Sequence, residues 1–414
     1  FDERSQFRWR GLLFIGHHST AGKVGVLKST SRRRGKAHAL EGQIVRRFMS
    51  ERIPLARPSW TEDMRGAALA TLDSGRWVKG PQGRAFADEF AQYCGVEFAS
   101  PCNSGSGALI AALRLLNIGP GDEVIVPSLT FIATATSVSM TGATPIFAEV
   151  ERDYWCVDVE DIERRITPRT KAVIGVHLFG QCYDPLLMNL CKRHNIALIE
   201  DAAQAHGGSI QVAGRKQMVG ALGTVSCFSF FPSKNVAVGG EGGMITSANS
   251  EIGLRIRSIV DHGRDGSLQS QEVGTNMRMS EVFAAIGRKQ LEHLDLWLER
   301  RRMNAERFTV TIANNQLLEA PLVRKDTQHA WHQYCVRTDA VEEFVQHMSN
   351  HNIASRVIYP TPCHKHAVYS DHPQSNDSFA TTDALSSSLV AIPVHHELTK
   401  EELERIVQAL QSYC

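Results

Sequence analysis

The chain has 414 residues, enough for two domains, and 43% apolar with 21% charged residues reads as a globular protein. A net charge of +1 gives no general case for nucleic-acid or membrane-surface binding, and no window approaches the roughly 18 apolar residues of a membrane span. The nine cysteines are scattered with no Cys-x-x-Cys pair. That argues against structural zinc and for a reducing, cytoplasmic setting.

Charge is unevenly placed. Residues 1–48 hold eleven Lys/Arg against three Asp/Glu, a net +8, and include Arg32-Arg33-Arg34-Gly35-Lys36. With many Ser and Gly and little apolar periodicity, this stretch is expected to be a flexible basic extension or an artefact. A targeting segment or a basic interaction arm are the other readings. The folded part is expected to begin at Met49.

From there the pattern is α/β. Helices are predicted over 62–73, 82–93 and 105–116, the last after the Asn103-Ser104-Gly105 punctuation. Strands are predicted over 123–127, 144–150, 172–178, 196–200, 224–230 and 243–246, with crossover helices over 159–166 and 185–194. This alternation implies a largely parallel, buried sheet. A long helix follows over 281–298, and 299–414 reads as a smaller α/β domain ending in a helix over 401–410. The expected division is therefore 1–48, 49–298 and 299–414.

Two segments carry chemistry. In Ser229-Phe230-Phe231-Pro232-Ser233-Lys234-Asn235, a lone lysine separates an apolar strand from the turn Gly239-Gly240-Glu241-Gly242-Gly243. Glycines let backbone approach a bulky ligand, and a desolvated lysine can attack a carbonyl. Upstream, Ile199-Glu200-Asp201-Ala202-Ala203-Gln204-Ala205-His206-Gly207 puts an acid at a strand end. A lysine for an aldehyde and an acid for a protonated ring nitrogen are what pyridoxal 5'-phosphate (PLP) requires. Taken singly, such a lysine also fits a solvated loop charge, and such an aspartate a helix cap.

Order and company add to this. The pieces Asn103-Ser104-Gly105-Ser106-Gly107-Ala108-Leu109, Val126-Pro127-Ser128-Leu129-Thr130-Phe131, the 200–207 and 229–243 runs, and Gly274-Thr275-Asn276-Met277-Arg278-Met279 stand in one order. Together, from about Arg52 to the C-terminus, they resemble the DegT/DnrJ/EryC1/StrS family of PLP-dependent sugar aminotransferases. The resemblance implies the PLP-dependent transferase fold type I: a large domain with a mostly parallel central sheet, then a smaller C-terminal α/β domain. It also implies site roles. Lys234 anchors the cofactor and then moves protons, and Asp201 pairs with the ring nitrogen. Gln204 lies beside the ring's 3-oxygen and Phe131 lies on a ring face. Gly105, Ser106 and Ser229 hold the phosphate; the family usually has Thr where Ser106 stands. Asn276 reaches the phosphate of a neighbouring subunit, making the working unit a homodimer with shared sites. His332, Tyr359 and His364 fall where the family meets the sugar nucleotide or closes the cleft. His206 is expected to pack rather than transfer protons, and Glu241 has no assigned role. His364, His366, His372, His395 and His396 lack a helical His-x-x-x-His pair and a nearby acid set, so no metal site is expected.

The implied reaction moves an amino group from an amino acid, L-glutamate being the expected donor, to a keto group of a nucleotide-linked sugar. A keto-cyclitol acceptor, a PLP-dependent sugar dehydratase and a non-catalytic regulatory relative are the alternatives. The retained Lys234, Asp201 and Gln204 argue against the last, and Lys234 argues against dehydratases that replace the lysine by histidine.

Overall fold

The structure is a computed structural model that describes residues 52–414; the basic segment 1–48 lies outside the described residues. Seven strands form the central sheet: β1 (Phe98–Cys102), β2 (Glu123–Pro127), β3 (Thr144–Ala148), β4 (Thr170–Val176), β5 (Ala197–Asp201), β8 (Val225–Ser229) and β9 (Gly243–Ser247). Between β5 and β8 lies a hairpin of β6 (Ser209–Val212) and β7 (Arg215–Met218). The sheet order is β1-β9-β8-β5-β4-β2-β3. β9 alone runs against its neighbours, and the other pairings are parallel.

The sequence explains this arrangement. β2, Glu-Val-Ile-Val-Pro, is buried along its whole length, as expected of a strand covered on both faces. Helices Gly105–Leu115, Ala133–Met140, Val159–Arg165 and Leu186–His194 alternate with the strands. Parallel neighbours need such crossovers. The consequence for function is directional. Asp201 ends β5 and Ser229 ends β8, and the Gly105 helix begins just after β1. Open α/β sheets bind ligands beyond the carboxyl ends of their strands.

Helix Glu281–Ile312 packs against helices Glu62–Asp73, Pro81–Cys94 and Lys400–Ser412. Its first residue, buried Glu281, caps another helix: the N–H groups of Gln82 and Gly83 donate to its carboxylate at 2.7 and 3.1 Å. A carboxylate there meets two orphan donors and the positive end of the helix dipole. The sequence pattern predicts an end at 298. The helix instead continues unbroken to Ile312 and so crosses the expected division at 298/299. Its distal part, with Ala305 and Phe308, enters a second apolar cluster with Tyr334, Phe344, Val390 and Leu410. That cluster includes residues of the sheet β11 (Tyr334–Arg337), β13 (Leu389–Ile392) and β12 (Arg356–Val357). A short strand, β10 (Thr327–Gln328), pairs with β6.

Most predicted elements stand within about two residues of their expected ends. Among the elements without a predicted counterpart are β1, the β6–β7 hairpin and the helices Ala133–Met140 and Ser250–Ile259. β1 contains Pro101 and lies at a sheet edge, where a missing N–H is tolerated. Helix Ala133–Met140 is rich in Thr, Ser and Val, weak helix formers, and has buried residues at Thr134, Ala135, Ser137 and Val138. Among the described residues, no helix is long and apolar enough to cross a membrane.

Candidate active site

Beyond the strand ends lies a cavity of about 470 Å³. Gly105, Ser106, Phe131, Asp201, Gln204, Ser229 and Lys234, all singled out in the sequence, line it together.

One wall is a helix start. Ser104 caps helix Gly105–Leu115, accepting from the Gly107 N–H at 3.0 Å. The N–H groups of Gly105 and Ser106 belong to the first turn, which has no intrahelical acceptors. A Cβ at residue 105 would stand 2.7 Å from Ser229 Cβ, so glycine is what lets the helix start close on the end of β8. Two backbone donors and a serine hydroxyl thus border one anion-sized corner.

The opposite side holds the charges. The Asp201 carboxylate accepts from Thr134 Oγ1 at 2.8 Å and from the Ala203 N–H at 3.2 Å. Burial raises its pKa, against the lowering effect of those bonds and of the Lys234 charge. Lys234 follows β8 in a turn closed by its N–H donating to Phe231 O at 2.8 Å. The neighbouring Asn235 donates to Ala330 O at 2.7 Å and pins that turn to the 330–332 segment. Burial lowers the Lys234 pKa to about 8, and Asp201 works in the other direction. About a tenth of the amine is therefore neutral, and nucleophilic, at pH 7, far more than for an ordinary lysine.

Gln204 is held at both ends of its amide. Its Oε1 accepts from the Phe179 N–H at 2.8 Å, and its Nε2 donates to the Tyr359 hydroxyl at 2.9 Å. The second Nε2 hydrogen is left for the cavity. The Phe179 and Tyr359 rings stack, 6.0 Å apart and 7° from parallel. Both residues, and Trp331 before His332, hold φ between 47° and 57°. Backbone held in the left-handed region by non-glycine residues collects at functional sites, where the surroundings fix it.

Phe131 is half exposed at the mouth, its ring 6.4 Å from that of Tyr359. His332 and Tyr359 line the cavity; His364 does not. His364 is buried, shares a 2.5 Å hydrogen bond with Ser128 Oγ and packs on Phe147 and Phe379. Burial first, then the Lys234 charge, keeps His332 neutral, well below the usual histidine range. His206 lies between Phe228 and Phe230, its pKa lowered by burial to about 3. Asn276 lies outside this cavity, exposed and bridged to the backbone of Asp261.

Several participants were missed in the sequence. Thr134 sits on a helix that the sequence pattern does not predict, and nothing around it points to Asp201. Glu200, adjacent to Asp201, acts structurally. Its buried carboxylate accepts from the N–H groups of Gly220, Leu222 and Gly223 and from Ser226 Oγ, and meets His177 Nε2 at 3.0 Å. It fastens the chain between β7 and β8 beneath the site. Arg356, which also borders the cavity, carried no local signal. Among the described residues, no group of three or more His, Cys, Asp or Glu could hold a metal.

Known proteins are similar to this chain along most of its length. The family model for DegT/DnrJ/EryC1/StrS aminotransferases matches residues 58–411. The dTDP-3-amino-3,4,6-trideoxy-alpha-D-glucose transaminase of Streptomyces venezuelae is 37% identical over 350 residues, covering 84% of this chain and 91% of the relative. The UDP-N-acetyl-3-dehydro-alpha-D-glucosamine 3-aminotransferase of Acidithiobacillus ferrooxidans is 38% identical over 343 residues, covering 82% and 90%. The crystal structure of DesV from S. venezuelae, in complex with a ketimine intermediate, superposes with a TM-score of 0.81 at 36% identity, covering 84% of this chain and 94% of that one. The chain belongs to the DegT/DnrJ/EryC1/StrS aminotransferase family, the PLP-dependent sugar transaminases.

Proposed function

We propose that this protein uses PLP to move an amino group from L-glutamate to the keto carbon of a nucleotide-linked sugar, a step of amino-sugar biosynthesis. The observation that carries this reading is the meeting of Lys234, Asp201 and the Gly105–Ser106–Ser229 corner in one cavity.

The residues fit the cofactor. Asp201 is a buried carboxylate with a raised pKa and two neutral donors. It makes no ion pair among the described residues, and a protonated ring nitrogen would supply one. The first-turn N–H groups and Ser229 suit a phosphate. Phe131 suits an aromatic ring face. Bound here, PLP supplies an aldehyde for the amine and a pyridine ring that accepts electrons.

The chain's own residues then divide the work. Lys234 Nζ, with its lowered pKa, would hold the cofactor through its aldehyde, and its free amine would be the base in the cavity that carries a proton. Asp201 holds the ring nitrogen's proton, and Thr134 orients Asp201. Gln204, fixed by Phe179 and Tyr359, offers an N–H to the ring's oxygen. His332 and Tyr359 face the substrate space; His364, through Ser128, supports the segment that carries Phe131. Asn276, exposed and away from its own chain's cavity, reaches the phosphate in a partner subunit, so the protein works as a homodimer in the cytoplasm.

The test is a coupled screen. Purified protein with L-glutamate and keto sugars linked to dTDP, UDP or GDP should release 2-oxoglutarate beyond the single equivalent of the donor half-reaction only when an accepted sugar nucleotide is present. Turnover with keto-cyclitols alone, or none with any acceptor, would overturn the reading.

A further inference from the structure

A second hollow of about 300 Å³ adjoins the first and opens outward from it. The two share Phe131, Arg356, Ile358 and Tyr359. The outer groove is walled by Ile132, Val357 and Pro360 and by the Phe131 and Tyr359 rings. It is mostly apolar and aromatic, with Thr130, Thr361 and His366 also on its wall, and Arg356 is its only Lys, Arg, Asp or Glu side chain.

Arg356 lies on β12, opposite Ala391 of β13, and its side chain is exposed. Lys365, next to the groove's His366, is engaged with Asp383. Arg356 pairs with no carboxylate among the described residues. An arginine without a partner, standing where a reaction cavity meets an outer groove, is placed to meet an anion that comes with the substrate. Its planar fork takes two oxygens at once, a geometry that suits phosphate.

We propose that Arg356 anchors the diphosphate of the sugar nucleotide, and that the groove past Phe131 and Tyr359 receives its nucleoside. The assignment rests on the nucleotide-sugar reading above and follows from order along the substrate. The keto carbon must reach Lys234 at the inner end. The diphosphate comes next to the sugar, and the nucleoside lies beyond it. That sequence of groups matches lysine, arginine and apolar groove. Glutamate, the other anionic substrate, has no part that would fill the groove.

The experiment compares PLP-loaded wild type with R356A and R356K. Binding of dTDP, UDP and GDP is measured by titration calorimetry, and the glutamate half-reaction is followed by absorbance. The cofactor spectrum and thermal melt of each variant serve as folding controls. R356A should weaken binding of the preferred nucleoside diphosphate by about 10- to 100-fold, as expected for charge-assisted hydrogen bonds. R356K, which keeps the charge but not the fork, should fall between. Raising salt should narrow the gap between wild type and R356A. The KM for glutamate should move much less than the nucleotide Kd. Equal nucleotide binding by wild type and R356A would overturn the assignment while leaving the nucleotide-sugar reading intact. A larger effect on glutamate than on nucleotide would move Arg356 to the donor's carboxylate and overturn it too. Wild type that binds none of the three nucleotides would refute both.

Discussion

Gln204 and Tyr359, 155 residues apart, meet through a 2.9 Å hydrogen bond from amide to hydroxyl. The bond joins the loop after β5 to the segment after β12, and the other end of the same amide holds the Phe179 N–H. Tyr359→Phe removes one hydrogen bond and should cost about 1 kcal/mol. Gln204→Ala leaves the Phe179 N–H without its acceptor as well, and should cost about 2 kcal/mol. Urea unfolding of the two variants gives the order; equal losses would mean that the Phe179 bond contributes nothing.

Asp201→Asn should harm turnover more than cofactor binding. The phosphate corner is untouched, while the ring nitrogen loses a charge partner worth roughly 4 kcal/mol at 4 Å and an effective dielectric of about 20. A fall in kcat of about 100-fold or more is expected, with a much smaller change in PLP Kd. Thr134→Val removes only the hydroxyl that donates to Asp201 and should lower kcat by about tenfold. Near wild-type turnover for Asp201→Asn would show that another acid faces the ring.

The fold was largely legible because its signals are local. The buried runs of β2 and β5 and the apolar pattern of helix Gly105–Leu115 declare themselves within a few residues. Lys234, Asp201 and the glycine-rich turn were legible through a shared motif order. Thr134 was not, because its contact with Asp201 spans 67 residues and its helix is made by burial rather than propensity. Helix Glu281–Ile312 continues past 298 through Arg300-Arg301-Arg302, a charge run that alone fits a solvated helix face. In the fold Arg301 turns inward, buried, and donates to the carbonyls of Trp331 and His332. Arg356 carries no local sequence signal; only its place on the wall common to the two hollows marks it.

Capture of PLP by the cofactor-free protein should follow the ionisation of Lys234. Only the neutral amine attacks, and its pKa is lowered from 10.5 to about 8. The capture rate should therefore rise as pH approaches 8 and level off above it. Asp201 holds the lysine pKa up, so Asp201→Asn should shift the plateau to lower pH. Stopped-flow absorbance across pH measures both. A wild-type rate still climbing through pH 10 would mean an unperturbed lysine.

Shared sites would show in subunit mixing. Lys234→Ala chains lack the anchor, and Asn276→Asp chains place a negative charge against the partner's phosphate. Each variant alone should be inactive. In a mixed dimer, the site with intact Lys234 draws its residue 276 from the Lys234→Ala chain, which is still Asn, so activity should return after subunit exchange. No recovery despite proven exchange would refute a role for Asn276 across the interface.

Lys234 is the residue proposed to carry the cofactor. PLP-saturated protein is reduced with borohydride, digested, and the peptides are mapped by mass spectrometry. The expected result is one phosphopyridoxyl group, on Lys234, lost in a folded Lys234→Ala variant. A label on any other lysine, or none, would contradict the account.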